Sequence, residues 1–293
     1  HLVVMDDGEG EIPDDPRVLD YEELISSASP VKFEVKDERQ AASMCYTSGT
    51  TGNPKGVVYS HRSTYMHTIT TMTADGLGVC ESDVILPVVP MFHVNSWGLQ
   101  HAAVAAGATL VNPGPKLQPE PIAELMESEK VTIAAGVPTI WMGVLEELDG
   151  RDVSSLRAIP CGGSAVPKSL SEGYREKIGL PILQAWGMTE TSPLAAIAHV
   201  KSAEANLDEE TKADIRASVG TIVPTVEFRI CEPGSVDQLP WDGESSGELQ
   251  VRGPFITAEY YKRPDASDSF TADGWLRTGD VATCDERGYI RLV

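Results

Sequence analysis

From Ala41 to about Val200 short apolar runs, bounded by Gly and Pro, alternate with stretches of helical period. Such a pattern has few ways to bury both kinds of face: strands apolar on both sides lie in parallel, and helices cover them. The runs predict strands at 43–46, 84–89, 109–111, 132–135, 158–161 and 182–185. Helices fit between them at 61–74, from 119 or 120 to 130, 138–148 and 167–178, the first capped by Ser60 and the others opened by Pro119 or Glu120, by Pro138 and by Pro167. Upstream, 2–40 reads as an irregular acidic lead-in with one helix, 21–28, capped by Asp20 and stopped before Pro30. Downstream, 201–216 is polar with one exposed helix, after which the period becomes two. Segments 225–231, 248–251, 281–283 and 289–293 are β-rich, are separated by Gly, Pro and Asp turns, and have no helix between them. The expected architecture is therefore α/β: mostly parallel sheets covered by helices over 1–220, then a small β-rich, barrel-like subdomain over 221–293.

A length of 293 residues with 41% hydrophobic composition supports a large core and roughly two domains. No apolar run reaches the ~18 residues of a membrane span, and residues 1–10 show no basic stretch followed by an apolar one, so export is not expected. The five cysteines are scattered, with no C-x-x-C pair, which argues against a disulfide framework or a zinc ribbon and fits a reducing cytoplasm. The net charge of −21, from 44 acidic and 23 basic residues, would repel a phosphate backbone, so no nucleic-acid partner is expected. An acidic surface with few lysines is also what proteins adapted to high salt commonly carry, because dense counter-ions screen its self-repulsion.

The strongest local signal follows the first predicted strand. Ten residues, Thr47 to Gly56, contain three glycines, four hydroxyls and one lysine. Glycines let successive backbone N–H groups face one point, hydroxyls add donors and a lysine adds charge, which together make a polyphosphate cradle from Thr47, Ser48, Gly49, Thr50, Thr51, Gly52 and Lys55. A flexible linker would not carry the flanking strand, Pro54 and Lys55. The ordinary P-loop needs Ser or Thr after its lysine, and here Gly56 follows Lys55.

This stretch resembles the phosphate loop of the superfamily of acyl-CoA synthetases, peptide-synthetase adenylation domains and luciferases. Further motifs similar to that family follow in order: Pro90-Met91-Phe92-His93, Cys161-Gly162-Gly163-Ser164, Gln184-Ala185-Trp186-Gly187-Met188-Thr189-Glu190, Gly247 to Gly253 with Tyr260-Tyr261, and Trp275 to Asp280. The resemblance runs from about Ser43 to Val293. It implies an ATP site at the carboxyl ends of strands, where α/β sheets bind ligands. Trp186 would offer adenine a flat face, where family members usually carry Tyr, and carbonyls near Gly163 and Ala185, beside Gln184, would accept from its amino group. Asp280 would accept from both ribose hydroxyls. A carboxylate beside polyphosphate calls for a cation between them, so Glu190 reads as a Mg²⁺ ligand. By resemblance Thr47 would give the metal a second oxygen, the Thr189 hydroxyl would contact the α-phosphate, and His93 would line the junction of carboxylate and α-phosphate.

The reaction implied is ATP-dependent activation of a carboxylate to an acyl-adenylate, followed by transfer to coenzyme A. Segments 88–98 and 135–141 look like the medium- and long-chain fatty acyl branch, with an apolar channel along Val94, Trp97 and 137–141 for the acyl tail. An aryl or short-chain acid-CoA ligase, a carrier-protein adenylation domain and a non-catalytic adenylate-binding module stand as alternatives. In the family a hinge and a carboxy-terminal lid follow the strand that ends here at Val293, and the lid carries a lysine that stabilises the adenylation transition state. The resemblance thus expects the lid and part of the amino-terminal subdomain to lie outside this sequence, with any homodimer contacts in missing or amino-terminal parts. The 293 residues alone would bind ATP or AMP without forming acyl-adenylate.

Overall fold

The computed structural model describes residues 2–5, 13–47 and 53–293. The chain divides into two units, His1–Asp37 and Glu38–Val293. In the first, β1 (Leu2–Val4) pairs in parallel with β2 (Val18–Asp20), and a helix, Tyr21–Ser26, follows with the Asp20 side chain accepting from the Glu23 N–H as its cap. The expected cap is present. The strand pair was not expected, because three-residue runs such as Leu2-Val3-Val4 are too short to carry a period.

The second unit opens on an antiparallel hairpin, β3 (Ala41–Tyr46) and β4 (Gly56–Ser60). Ser60 then caps the helix His61–Met72 in a reciprocal box with Ser63. The main sheet is assembled from β5 (Val84–Pro87), β6 (Thr109–Leu110), β7 (Ile133–Ala135), β8 (Pro160–Cys161), β9 (Leu183–Gly187), β10 (Leu194–Ile197) and β11 (Thr221–Ile222). Strands β6, β5 and β7 pair in parallel, as do β8 and β9, and parallel bridges Ile133–Ala158 and Gly136–Cys161 join the two groups. Strands β10 and β11 extend the sheet in antiparallel fashion. The carboxyl ends of β5, β7, β8 and β9 therefore share one edge.

Helices Leu99–Ala106, Pro119–Ser128, Pro138–Glu147 and Lys168–Ile178 alternate with these strands. One core packs Ile122, Met126, Trp141 and Tyr174 against Leu86 and Ile159; another packs Leu99 and Ala102 against Ile85 and Ile133. Trp141, expected to wall an acyl channel, is fully buried in the first of them. After the helix Glu209–Arg216 the chain forms a second sheet, antiparallel and in sequence order: β12 (Glu227–Cys231), β13 (Gly247–Arg252), β14 (Leu276–Cys284) and β15 (Ile290–Leu292). A short 3-10 turn, Pro264–Ser269, lies between β13 and β14, where no helix was expected.

The helix His61–Met72 also carries a pH sensor of stability. His67 is buried, its Nε2 accepts from the Leu194 N–H at 3.0 Å, and its ring meets Phe255 edge to face. Burial, with His101 nearby, pushes its pKa from 6.5 down to about 3. The folded imidazole stays neutral while the unfolded one takes up a proton, so the unfolded state binds more protons between those two values. Stability is full above about pH 6.5 and falls toward pH 3 by up to ~1.4 kcal/mol per unit from this group. Urea unfolding at pH 7 and pH 5 should show His67→Gln losing much of that slope; an unchanged slope would place its cause elsewhere.

Candidate functional site

The carboxyl edge of the main sheet opens into a cavity of about 830 Å³, entirely within the second unit. The β3–β4 hairpin brings Thr47 and Lys55 to it, the turn after β5 brings His93, Val94 and Trp97, the β8 end brings Gly163, and the β9 end brings Ala185, Trp186, Thr189 and Glu190. Ser48, Gly49, Thr50, Thr51 and Gly52, the expected tip of the cradle, lie outside the described residues. Gln184 and Asp280 do not line the cavity, although Thr278 and Gly279 do. Gln184 is buried beneath it, and its Oε1 has no hydrogen-bond partner among the described residues.

Local backbone shapes two of these walls. Val94, Asn95, Ser96 and Trp97 all have φ between +49° and +57°, and Gly98 follows at +70°. A left-handed turn of four non-glycine residues is costly, most of all at a β-branched valine. It is held from three sides. The Ser96 hydroxyl donates to the Val89 carbonyl at 2.6 Å, Asn95 Nδ2 donates to Ser43 Oγ at 2.9 Å, and Val94 packs with Cys45, Val57, Tyr59 and Tyr260. This turn ends the apolar run early, so the helix Leu99–Ala106 behind it was not anticipated. It leaves His93 exposed beside the cavity, outside any apolar core. At the β8 end, a Cβ on Gly162 would come within 2.6 Å of the Ala185 carbonyl oxygen, so only glycine lets this loop lie against β9.

The β9 end continues into a 3-10 turn, Thr189–Thr191, that places Glu190. Glu190 is 5% exposed, and its Oε1 accepts from the Tyr260 hydroxyl at 2.7 Å. Lys55 Nζ stands 4.2 Å from the centre of the Tyr260 ring, so a cation, an aromatic face and a carboxylate form one cluster. Burial and the Glu190 contact push the Tyr260 hydroxyl well above its ordinary value, which keeps it a donor. Tyr59 donates to the Thr189 carbonyl at 2.7 Å, the Thr257 N–H to the Glu190 carbonyl at 2.8 Å and the Tyr261 N–H to the Gly56 carbonyl at 2.8 Å. These bonds lock hairpin, 3-10 turn and the 257–261 loop together. Tyr260 was legible only as part of a motif, and no role had been read for it.

The arrangement fits a magnesium ion bound with a polyphosphate. Among the described residues no group of three His, Cys, Asp or Glu could hold a metal. Magnesium bound through one carboxylate, substrate phosphates and water needs no such group. Glu190 Oε2 receives no hydrogen bond from the described residues, and Thr47 is a second oxygen on the same cavity.

A family model matches residues 5–261, and its description is AMP-binding enzyme. The chain belongs to this family. Within it, the chain is 44% identical over 296 residues to a long-chain-fatty-acid–CoA ligase of Thermus thermophilus, covering 100% of this chain and 53% of the relative. It is 43% identical over 277 residues to a 3-methylmercaptopropionyl-CoA ligase of Ruegeria lacuscaerulensis, covering 93% of this chain and 50% of that one. Among solved structures, o-succinylbenzoate coenzyme A synthetase from Bacillus subtilis in complex with ATP and magnesium ion superposes with a TM-score of 0.78 at 28% identity, over 94% of this chain and 55% of that one. The chain thus spans about half the length of the relatives it matches. Among the described residues no helix is long and apolar enough to cross a membrane.

Proposed function

We propose that the protein activates a fatty acid with ATP and passes the acyl group to coenzyme A. The observation that carries this reading is the convergence on one cavity of Thr47, Lys55, His93, Trp186, Thr189 and Glu190 in a chain of the AMP-binding family. A carboxylate oxygen of the acid attacks the α-phosphorus of ATP and pyrophosphate leaves with its electron pair. The coenzyme A thiol then attacks the acyl carbon, AMP leaves, and the thiol proton goes to solvent. Glu190 and Thr47 would hold magnesium, which when bound neutralises phosphate charge. The chain's own groups do the placing: Lys55 faces the phosphates, the Thr189 hydroxyl the α-phosphate, Trp186 the adenine, Asp280 the ribose, and His93 the junction of two mutually repelling anions. Residues 221–293 act in this reading as a β-rich subdomain that supplies Asp280.

Val94 and Trp97 give the acid end of the cavity an apolar wall, which suits an acyl tail. Nearly equal identity to a long-chain ligase and to a ligase of a short thioether acid favours a second reading, a short-chain substrate. ATP–pyrophosphate exchange by the full-length protein across C3 to C16 fatty acids, aryl acids and amino acids decides between them. Exchange peaking at C8 or beyond supports the first reading, a peak at C3 to C5 the second, and exchange with amino acids alone would sink both.

The net charge of −21 supports a halophilic setting, and five cysteines that are all free fit a reducing cytoplasm. Melting temperature should climb as KCl rises to about 1 M, where the screening length has shrunk to ~3 Å and little repulsion is left to remove. A curve flat to 1 M would overturn this, since a rise only above it is what stronger burial of apolar surface produces.

A further inference from the structure

Strand β14 does not run straight past its neighbour. Glu248 pairs with Val281 and Gln250 pairs with Arg277, so Leu249 alone stands opposite the three residues Thr278, Gly279 and Asp280. The surplus is taken up in a bulge, with Gly279 at φ +78°. Bulges of this kind re-aim a side chain beside a site. Here the bulge is pinned: the Thr278 hydroxyl donates to the Leu249 carbonyl at 2.7 Å and accepts from the Asp280 N–H at 3.1 Å. The side chain it aims is that of Asp280, which is not itself on the cavity wall but follows the lining residues Thr278 and Gly279 directly, and whose Oδ2 accepts from the indole Nε1 of the lining Trp186 at 2.9 Å, across 94 residues of sequence.

Trp186 is 8% exposed, packed with Ala195, Ala196 and Leu249, and lines the cavity at the same time. A ring so placed cannot swing away, so its N–H is a fixed donor. One hydrogen bond to Oδ2 sets the plane of the Asp280 carboxylate and leaves Oδ1, and a second lone pair on Oδ2, free to accept from a vicinal pair of hydroxyls. Burial pushes the Asp280 carboxyl above its ordinary value and the indole N–H pulls it back toward the charged form, which is the better acceptor. The two usual reasons for an aromatic at this place, a flat face and a filled core, require no N–H. Phenylalanine would serve both.

We propose that Trp186 is a positioning residue for Asp280, and through it for the ribose of the bound nucleotide, in addition to offering a face to the base. The inference rests on reading the cavity as an adenosine-nucleotide site. Its signature is a coupling between the indole N–H and the sugar hydroxyls, which stacking alone would not produce.

The test is calorimetric titration of the full-length protein and its Trp186→Phe variant with AMP and with 2′,3′-dideoxy-AMP. The unaltered protein should prefer AMP, and Trp186→Phe should weaken AMP by roughly five- to tenfold while changing dideoxy-AMP less than about twofold. Equal losses for both ligands would overturn the positioning role and leave the nucleotide reading standing. An unaltered protein that binds the two ligands equally would overturn the ribose reading, and the proposal with it. Should Trp186→Phe not fold, indole N–H resonances of the unaltered chain carry the same question. In the full-length protein Asp280→Ala should move one tryptophan indole N–H signal strongly upfield, and a spectrum with none moved would refute the proposal.

Discussion

Glu190→Gln should weaken Mg²⁺-ATP by about 10- to 100-fold, the range in which losing a group that supports a metal usually falls. Metal-free AMP should bind almost as before. The substitution keeps the size of the side chain, and a glutamine oxygen can still accept from the Tyr260 hydroxyl that holds Oε1 at 2.7 Å. Only the charge is removed. The sign of the effect on ATP without metal then separates the explanations. If the cavity takes a triphosphate as proposed, the carboxylate of Glu190, a residue only 5% exposed, repels it unless a cation stands between. Metal-free ATP should therefore bind Glu190→Gln as well as, or better than, it binds the unaltered protein, while Mg²⁺-ATP binds worse. Calorimetry with AMP, ATP and Mg²⁺-ATP reads all three. Equal losses for every ligand would mean that Glu190 serves the fold of the 3-10 turn, and the metal role would be withdrawn. Lys55 is not expected to replace the metal, because its ammonium is held over the Tyr260 face, 4.2 Å from the ring centre.

Elements with a long period were legible before any coordinates. The helices beginning near His61, Pro119 and Pro138 start where Ser60, Pro119 and Pro138 said they would, since capping and proline geometry are local. What escaped was set by partners far away. Strand β4 was not expected: between Gly56, which ended the phosphate motif, and Ser60, read as a helix cap, no strand had been read, and its partner Ala41 to Tyr46 lies ten residues upstream across the loop. The helix Leu99–Ala106 was hidden behind four residues in the left-handed region, a conformation no propensity favours and only the contacts of Ser96, Asn95 and Val94 sustain. The site divides the same way. The motif residues after β5, β8 and β9 fell on one cavity because strand ends in a parallel sheet share an edge, whereas Thr47 and Lys55 reach it from an antiparallel hairpin and the Tyr260 bond to Glu190 and the Trp186 bond to Asp280 join segments 70 and 94 residues apart. Trp141 failed as a channel wall for a related reason: the helix Pro138–Glu147 turns that ring into the core against Tyr174, whose hydroxyl donates to the Trp141 carbonyl at 2.9 Å.

Asp280→Ala should weaken every adenosine nucleotide by about 1.5–3 kcal/mol, the usual worth of hydrogen bonds to a charged group, and by the same factor with or without metal. Two losses combine in that figure. The ribose hydroxyls lose a charged acceptor, and the indole N–H of Trp186, a residue only 8% exposed and now facing a methyl group, loses its partner. Asp280→Asn separates them, since an amide oxygen can still accept from the indole while offering the sugar one weaker acceptor, so its loss should be about half as large. Because ribose is common to AMP, ATP and Mg²⁺-ATP, the pattern across ligands should be flat, where that of Glu190→Gln is steep. The two carboxylates have different partners, Tyr260 and Trp186, and in the proposed reading they face different parts of the nucleotide. Their effects on Mg²⁺-ATP should accordingly add in the double variant to within about 0.5 kcal/mol. Marked non-additivity, or an Asp280→Ala loss that appears only when Mg²⁺ is present, would mean that Asp280 acts on the phosphate end of the nucleotide and that its assignment to the sugar is wrong.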